Sequence, residues 1–297
     1  MRLGCFIASL LISSTVYASS YDRVRQRLDA MVAENSTFVE KVTIGRNDQG
    51  MEIEGVTIHG SDSGEHPVHV LVVGSHHGNE TLSVDVAMET AAQAIQAMKQ
   101  PSSTYHETLK NHVIHVIPVL NIGGYNRNSR EEYDANGRSR DPNRDYPDPC
   151  GGVQKFRLAS TTALARYMND IEFASAVTIH GYIGTFTYPW GTYTNQTHTP
   201  DHEVFHRIAA KSAAVNGYRI GTHADVIYAT NGAFEDWAYH THGTWTMLLE
   251  LRRDANVTRD AESLLAYFSV APTAPSQFHE HVGQCRSVMD AEIRARP

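Results

Sequence analysis

A buried strand that runs into a histidine and a glutamate constrains this chain of 297 residues more than any other feature. The apolar run at 70–73 stops at a glycine, and His77 and Glu80 follow with two residues between them. Apolar residues then recur at helical spacing over 84–98, which predicts a helix after the turn. Side chains three apart on such a turn can point the same way. An imidazole and a carboxylate in this arrangement are two of the usual three protein ligands of a catalytic zinc ion.

The two-residue motif also has an ordinary structural interpretation. Glu80 would then lie in the first turn of a helix, where the helix dipole favours a negative charge. His180 favours the metal interpretation, because it follows a strand predicted at 173–179 and precedes a glycine. It can therefore reach the same end of a sheet as His77 and Glu80. With His77 and Glu80 it completes a His-Glu-His set that leaves one coordination position for water.

Strands alternate with helices along most of the chain. We predict a first helix at 21–33, a hairpin of strands at 38–44 and 51–58, and later strands at 68–73, 113–120, 173–179 and 245–251. Further helices are predicted after Glu80 up to Pro101 and at 156–168, 201–215, 259–268 and 276–294. This order predicts an α/β protein, a single three-layer α/β/α domain around a mixed, largely parallel central sheet.

The carboxyl ends of the predicted strands indicate where a site would form. Ligand sites in such sheets lie at these ends, and four polar residues fall at or near them: His77, Asn121, His180 and Glu250. The polar segment 125–152 is predicted to be a long loop with little regular structure. A loop of this length inside a compact domain is usually functional.

Charge and the N-terminal segment restrict the setting of the protein. A formal net charge of -8 argues against nucleic acid as a partner. Arg2 and the mostly apolar stretch after it predict a signal peptide at 1–18, although a buried N-terminal strand is the alternative. The catalytic domain is then 19–297. No other segment is apolar enough for a membrane span, so we expect a soluble protein that is periplasmic or secreted.

Two cysteines remain after removal of the signal, Cys150 and Cys285. In an oxidising compartment they could form a disulfide, or they could be two separate thiols. The sequence does not place them within bonding distance of each other.

Five segments resemble, in order, the zinc carboxypeptidases of the pancreatic carboxypeptidase type. They lie between residues 68 and 252: His77-Gly78-Asn79-Glu80, Asn143-Arg144-Asp145-Tyr146-Pro147, 180–182 with 188–191, 228–239 and 246–252. The resemblance implies an exopeptidase that hydrolyses the C-terminal peptide bond of a peptide with a free carboxylate. It also implies one Zn²⁺ per chain, held by His77, Glu80 and His180.

The resemblance gives each remaining site residue a role. Glu250 would be the general base that takes a proton from the zinc-activated water, with an ordinary ion pair to a neighbouring arginine as the alternative. Asn143 and Arg144 would grip the terminal carboxylate of the substrate, since a planar guanidinium can donate two hydrogen bonds to it. Tyr228 would add a hydrogen bond from a loop that closes over the substrate.

Two further assignments are less direct. An arginine should stabilise the oxyanion; we favour Arg130, with Arg127 as the second choice, because the loop departs from the family in length and sequence. Glu235 falls where the family carries the residue at the base of the specificity pocket. A carboxylate there needs a cation, so we expect a preference for Lys, Arg or diaminopimelate. The alternative is that Glu235 faces solvent or pairs with an arginine.

Two other functions stay open. One is a zinc-dependent N-acyl amino acid acylase, against which the Tyr228 loop argues. The other is a non-catalytic binding protein on the same fold, against which the complete set of ligands and Glu250 argues. If the source is bacterial, a cell-wall muropeptide is a natural substrate, because diaminopimelate offers both a carboxylate and an amine.

Overall fold

The structure is a computed structural model that describes residues 20–149, 155–192 and 198–277. The predicted signal peptide at 1–18, Cys150, Cys285 and all but the start of the predicted closing helix lie outside these ranges. Within them, no helix combines the length and the apolar character that crossing a membrane requires.

The described residues form ten strands and nine helices. The strands are β1 Val39–Arg46, β2 Glu52–His59, β3 Val68–Gly74, β4 His112–Ile117, β5 Glu132–Tyr133, β6 Ser139–Arg140, β7 Phe173–Gly181, β8 Thr185–Tyr188, β9 Arg219–Thr222 and β10 Trp245–Leu251. The helices are α1 Ser20–Glu34, α2 Leu82–Lys99, α3 His106–Leu109, α4 Ile122–Arg127, α5 Ala159–Asp170, α6 His202–Ala213, α7 His223–Val226, α8 Phe234–His242 and α9 Val257–Val270. A 3-10 helical turn spans Pro142–Arg144.

Eight strands form one mixed sheet in the order β1-β2-β4-β3-β7-β10-β8-β9. The four central strands β4, β3, β7 and β10 are parallel, while β1, β2 and β8 pair antiparallel with their neighbours on the inner side. Strands β3 and β10 are almost entirely buried, which explains why they read as continuous apolar runs rather than as alternating patterns. The predicted fold class, an α/β domain with a mixed sheet, is confirmed.

Helices pack on the central strands and on one another. Helix α2 contacts β3, β4 and β7 and packs against α9, which in turn packs against α6. Helix α8 contacts β7 and β10, and its Glu235 meets Thr178 of β7. The central strands are therefore covered by helices, and their carboxyl ends form one rim.

The described part of the predicted loop, residues 125–149, contains a few short elements. It contains the last three residues of α4, the small hairpin of β5 and β6, and the 3-10 turn. Local polar groups stabilise these short elements. Asn121 Oδ1 accepts a hydrogen bond from the backbone of Gly124 at 2.7 Å and caps α4, and Asn128 ends that helix in the left-handed conformation with φ 53°. Because none of these elements covers more than three residues of the segment, the prediction of a long loop with little regular structure is confirmed for the described residues.

Candidate active site

The turn after β3 and the end of β7 bring together three side chains that can bind a metal ion. His77 Nδ1 lies 2.9 Å from Glu80 Oε1 and 3.1 Å from His180 Nδ1, which is 3.2 Å from Glu80 Oε2. All three residues are buried. In the part of the chain that the structure describes, they are the one group of His, Cys, Asp or Glu residues whose ligand atoms converge within 4.8 Å of one another.

The spacing of these atoms fits a zinc ion. Ligand atoms about 2.0 Å from a tetrahedral ion lie about 3.3 Å apart. The observed separations of 2.9, 3.1 and 3.2 Å are slightly shorter, so small outward shifts of the side chains would accommodate the ion. Two imidazoles and one carboxylate are also a ligand set of catalytic zinc sites.

Parallel strand register explains why distant residues converge. Gly74 of β3 pairs with Ile179 of β7, so the turn that carries His77 and Glu80 begins beside His180. His180 pairs in turn with Glu250 of β10. The three parallel strands therefore end at one rim and deliver four functional side chains to it.

The two ionisable carboxylates at this rim differ in their electrostatics. Burial alone raises the pKa of the Glu80 carboxyl, but hydrogen bonds from His180 and His77 outweigh it and hold the pKa at about 2. Burial raises the pKa of Glu250, and the neighbouring charges only partly offset this effect. Glu80 is thus suited to remain an anionic ligand, and Glu250 to accept a proton.

Glu250 is buried and keeps one oxygen without a protein partner. Its Oε2 forms no hydrogen bond within the described ranges, and no described arginine forms an ion pair with it. The guanidinium groups of Arg252 and Arg253 instead lie over the rings of Tyr218 and Tyr182, at 4.8 and 5.6 Å. The alternative of an ordinary ion pair for Glu250 is therefore wrong.

Asp141 is a site residue that the sequence reasoning missed. Its Oδ1 lies 3.0 Å from His77 Nε2, and its Oδ2 accepts hydrogen bonds from Arg130 Nε at 3.1 Å and Nη2 at 2.9 Å. A carboxylate on the second nitrogen of a metal-binding histidine fixes the orientation of the ring. The only signal in the sequence was an acid two positions before Asn143, and the loop contains several acids.

Of the two candidate arginines for oxyanion stabilisation, Arg130 lies at the site. Its Nη1 is 3.4 Å from Glu80 Oε1, and Asn121 Nδ2 donates to its carbonyl oxygen at 3.1 Å. Arg127 is exposed in the last turn of α4, with its guanidinium 4.5 Å from the centre of the Tyr133 ring. The expectation that Arg127 could stabilise the oxyanion is corrected, because α4 directs its side chain outward. The chain turns back toward the site only after this helix ends.

The residues expected to bind the substrate carboxylate lie beside the metal ligands. Asn143 is buried, with Nδ2 3.4 Å from His180 Nε2 and 3.5 Å from Glu235 Oε2. Arg144 Nη2 donates to the hydroxyl of Tyr228 at 3.2 Å. Tyr228 is 50% exposed, so its side chain is partly open to solvent.

Glu235 is buried in the wall of the site rather than exposed. Thr178 Oγ1 donates to its Oε1, and Asn143 Nδ2 faces its Oε2. Within the described ranges no lysine or arginine forms an ion pair with Glu235. The alternative that this carboxylate faces solvent or pairs with an arginine is therefore wrong.

The fold and the site define a metallohydrolase, and comparisons with known proteins give its family. The family model described as zinc carboxypeptidase matches residues 24–273. The chain therefore belongs to the zinc carboxypeptidase family, and its enzyme class is metallocarboxypeptidase. The resemblance inferred from the five segments is confirmed.

Individual relatives are distant. Carboxypeptidase B of Astacus astacus is 24% identical over 80% of this chain and 86% of its own length. Carboxypeptidase O of Bos taurus is 28% identical, but the match covers 52% of this chain and 49% of the bovine protein, so the chain spans about half of that relative. The structure is similar to the crystal structure of carboxypeptidase A from Helicoverpa armigera, with a TM-score of 0.73, 16% identity, and coverage of 86% of this chain and 74% of that one.

Proposed function

We propose that this protein is an exported exopeptidase that removes one residue from peptides with a free C-terminal carboxylate. The observation that carries the proposal is the position of Arg144 and Tyr228. Their guanidinium and hydroxyl meet at 3.2 Å next to a convergent His-Glu-His cluster. A guanidinium is the preferred partner of a carboxylate, and here it lies beside residues that can hold a catalytic metal.

The residues of the chain divide the work of hydrolysis. His77, Glu80 and His180 would hold the zinc ion, which polarises the scissile carbonyl and activates a water molecule when it is bound. Glu250 takes a proton from the attacking water and delivers it to the leaving amine, a role that its raised pKa favours. Arg130 donates hydrogen bonds to the oxyanion from the position that Asp141 fixes.

We further propose that the enzyme prefers basic C-terminal residues or diaminopimelate. Glu235 is a buried carboxylate without a cationic partner in the described ranges, and a cationic substrate side chain would offset the cost of its burial. If the protein comes from a bacterium, a muropeptide in the periplasm is a substrate with this chemistry. Export itself rests on the predicted signal peptide.

One peptide screen tests the reaction and separates it from the alternative. Purified mature protein is incubated with peptides ending in Lys, Arg, Phe or diaminopimelate, each with a free or an amidated C terminus, with and without a chelator. An exopeptidase hydrolyses only the free forms and loses activity with the chelator. Equal hydrolysis of the amidated forms would contradict carboxylate recognition, and cleavage of N-acyl amino acids alone would favour the acylase.

The specificity proposal has its own test, the variant Glu235→Ile. Removing the carboxylate should shift the ratio of kcat/KM for Lys over Phe substrates toward Phe. Thr178→Val is the matched control, because it removes the hydroxyl that Glu235 accepts from but keeps the charge. An unchanged ratio in Glu235→Ile shows that the carboxylate does not select the side chain.

A further inference from the structure

His223 carries an unpartnered nitrogen inside the protein. This residue is the first of α7, directly after β9, and is 8% exposed. Its Nε2 has no hydrogen-bond partner within the described ranges. Buried polar groups are normally paired, so this imidazole nitrogen is available to accept a hydrogen bond from a water molecule or from a bound ligand.

The imidazole faces the residues that would bind the substrate carboxylate. Its ring packs edge to face against Tyr228, with the ring centres 5.6 Å apart. It lies close enough to Arg144 for the positive charge of the guanidinium to affect its titration. The ring therefore lies beside the residues that would bind the substrate carboxylate.

Gly191 packs closely beside this ring. A Cβ atom at this position would lie 3.3 Å from His223 Cδ2, 3.4 Å from Thr230 Cγ2 and 3.5 Å from Asp236 Oδ2. The backbone of Gly191 is fixed there, because its N–H donates to the Asp236 carboxylate at 2.9 and 3.0 Å. Asp236 is the neighbour of Glu235 in α8. The surroundings of His223 therefore include Gly191 and the Asp236 carboxylate of α8.

The imidazole of His223 is neutral at ordinary pH. Burial is the main cause that lowers its pKa, to about 3, and the positive charge of Arg144 acts in the same direction. A neutral imidazole has one N–H donor and one acceptor nitrogen. His223 can therefore accept a hydrogen bond from a cationic group without adding a competing positive charge.

We propose that His223 is a specificity-determining residue of the pocket for the C-terminal side chain, where its Nε2 accepts a hydrogen bond from a primary ammonium group. This inference rests on the proposed exopeptidase function. A primary ammonium has three N–H donors, so it can donate one of them to His223 and keep the others for further acceptors. The favoured substrates then end in a residue with a terminal amine, such as Lys or diaminopimelate, and not in an isosteric apolar residue.

Paired substrates and one variant test this role. Peptides ending in lysine and in norleucine, which lacks the amine, are compared with the zinc-loaded wild type and with His223→Leu. A site built around a polar group discriminates strongly against an analogue that lacks the matching group. We expect His223→Leu to reduce the lysine-to-norleucine ratio of kcat/KM by tenfold or more, mainly through the KM for the lysine peptide. A ratio within twofold of wild type overturns the proposal.

His112→Leu is the matched control. His112 is also a buried histidine with an unpartnered ring nitrogen, but it lies at the start of β4, away from the rim where the parallel strands end. This control should leave the ratio unchanged. An equal fall in both variants would trace the effect to the loss of a buried histidine in general and overturn the assignment.

A measurement on the wild type covers the case in which His223→Leu does not fold. Free lysine should shift the ring-nitrogen resonance of His223 in ¹⁵N spectra, and free norleucine should not, with the resonance assigned through His223→Gln. No shift with lysine overturns the proposal. Failure of the wild type to hydrolyse either peptide is a different result, which contradicts the exopeptidase function itself.

Discussion

Replacing Asp141 with asparagine tests how this site is held together. The side chain keeps its shape and Oδ1, so it can still accept from His77 Nε2 at 3.0 Å and from the backbone of Asn143 at 2.9 Å. It loses the negative charge, and an amide NH₂ now faces the two Arg130 donors that lie 2.9 and 3.1 Å from Oδ2. The change therefore weakens the hydrogen bond that orients the His77 ring and removes the charged hydrogen bonds that hold Arg130.

The magnitudes follow from these two losses. Weakening the carboxylate that supports a metal-binding histidine typically costs 10- to 100-fold in metal affinity. A hydrogen bond to a charged group contributes about 1.5–3 kcal/mol, which corresponds to a further reduction of about 10- to 150-fold in kcat/KM through Arg130. The second loss should persist at saturating zinc, because it does not depend on occupancy of the metal site.

Chelator competition measures the zinc dissociation constant of Asp141→Asn, and peptide hydrolysis at saturating zinc isolates the effect on Arg130. Asp134→Asn is the matched control, since Asp134 is also a buried carboxylate that accepts from an arginine, Arg140 at 3.1 Å, but belongs to the small hairpin. Zinc affinity within twofold of wild type in a folded Asp141→Asn would refute the reasoning.

Three further outcomes are expected. Glu250→Gln should bind zinc normally but lose about 10²- to 10⁴-fold in kcat. In the wild type, kcat/KM should fall on acidification at a pH above the range of an ordinary glutamate, because the pKa of Glu250 is raised, and this fall should disappear in the variant. An unchanged rate excludes Glu250 as the base. Arg144→Gln should reduce kcat/KM for free C termini by about 10- to 150-fold and leave zinc binding intact, as steady-state kinetics and chelator competition would show. Burial lowers the pKa of His115 to about 3, and its ring is hydrogen bonded to His69 and Tyr167 at 2.8 and 2.6 Å. The unfolded chain therefore binds the additional proton, and the free energy of unfolding should fall as the pH drops from 6.5 toward 3; urea unfolding should show a shallower pH dependence in His115→Gln.

The sequence determined those features that depend on local spacing. Apolar runs and helical periodicity placed six of the eight strands of the large sheet and the longer helices within a few residues of their observed bounds. They did not predict β8, β9 or α8. The interval of three between His77 and Glu80 placed both side chains on one turn, because the backbone between them has little freedom at a strand-to-helix connection. The rim of carboxyl ends then predicted that His180 and Glu250 belong to the same site.

Tertiary structure alone decided which side chains from irregular segments enter the site. The rings of His77 and His180 are in contact although 103 positions separate them in the sequence. The pattern of strands could predict this contact. No periodicity distinguishes Arg130 from Arg127, or selects Asp141 and His223, since a side chain in a loop is oriented by its contacts through space. Those contacts, a carboxylate behind His77 and a buried imidazole beside Tyr228, exist only once the sheet has brought the loops together.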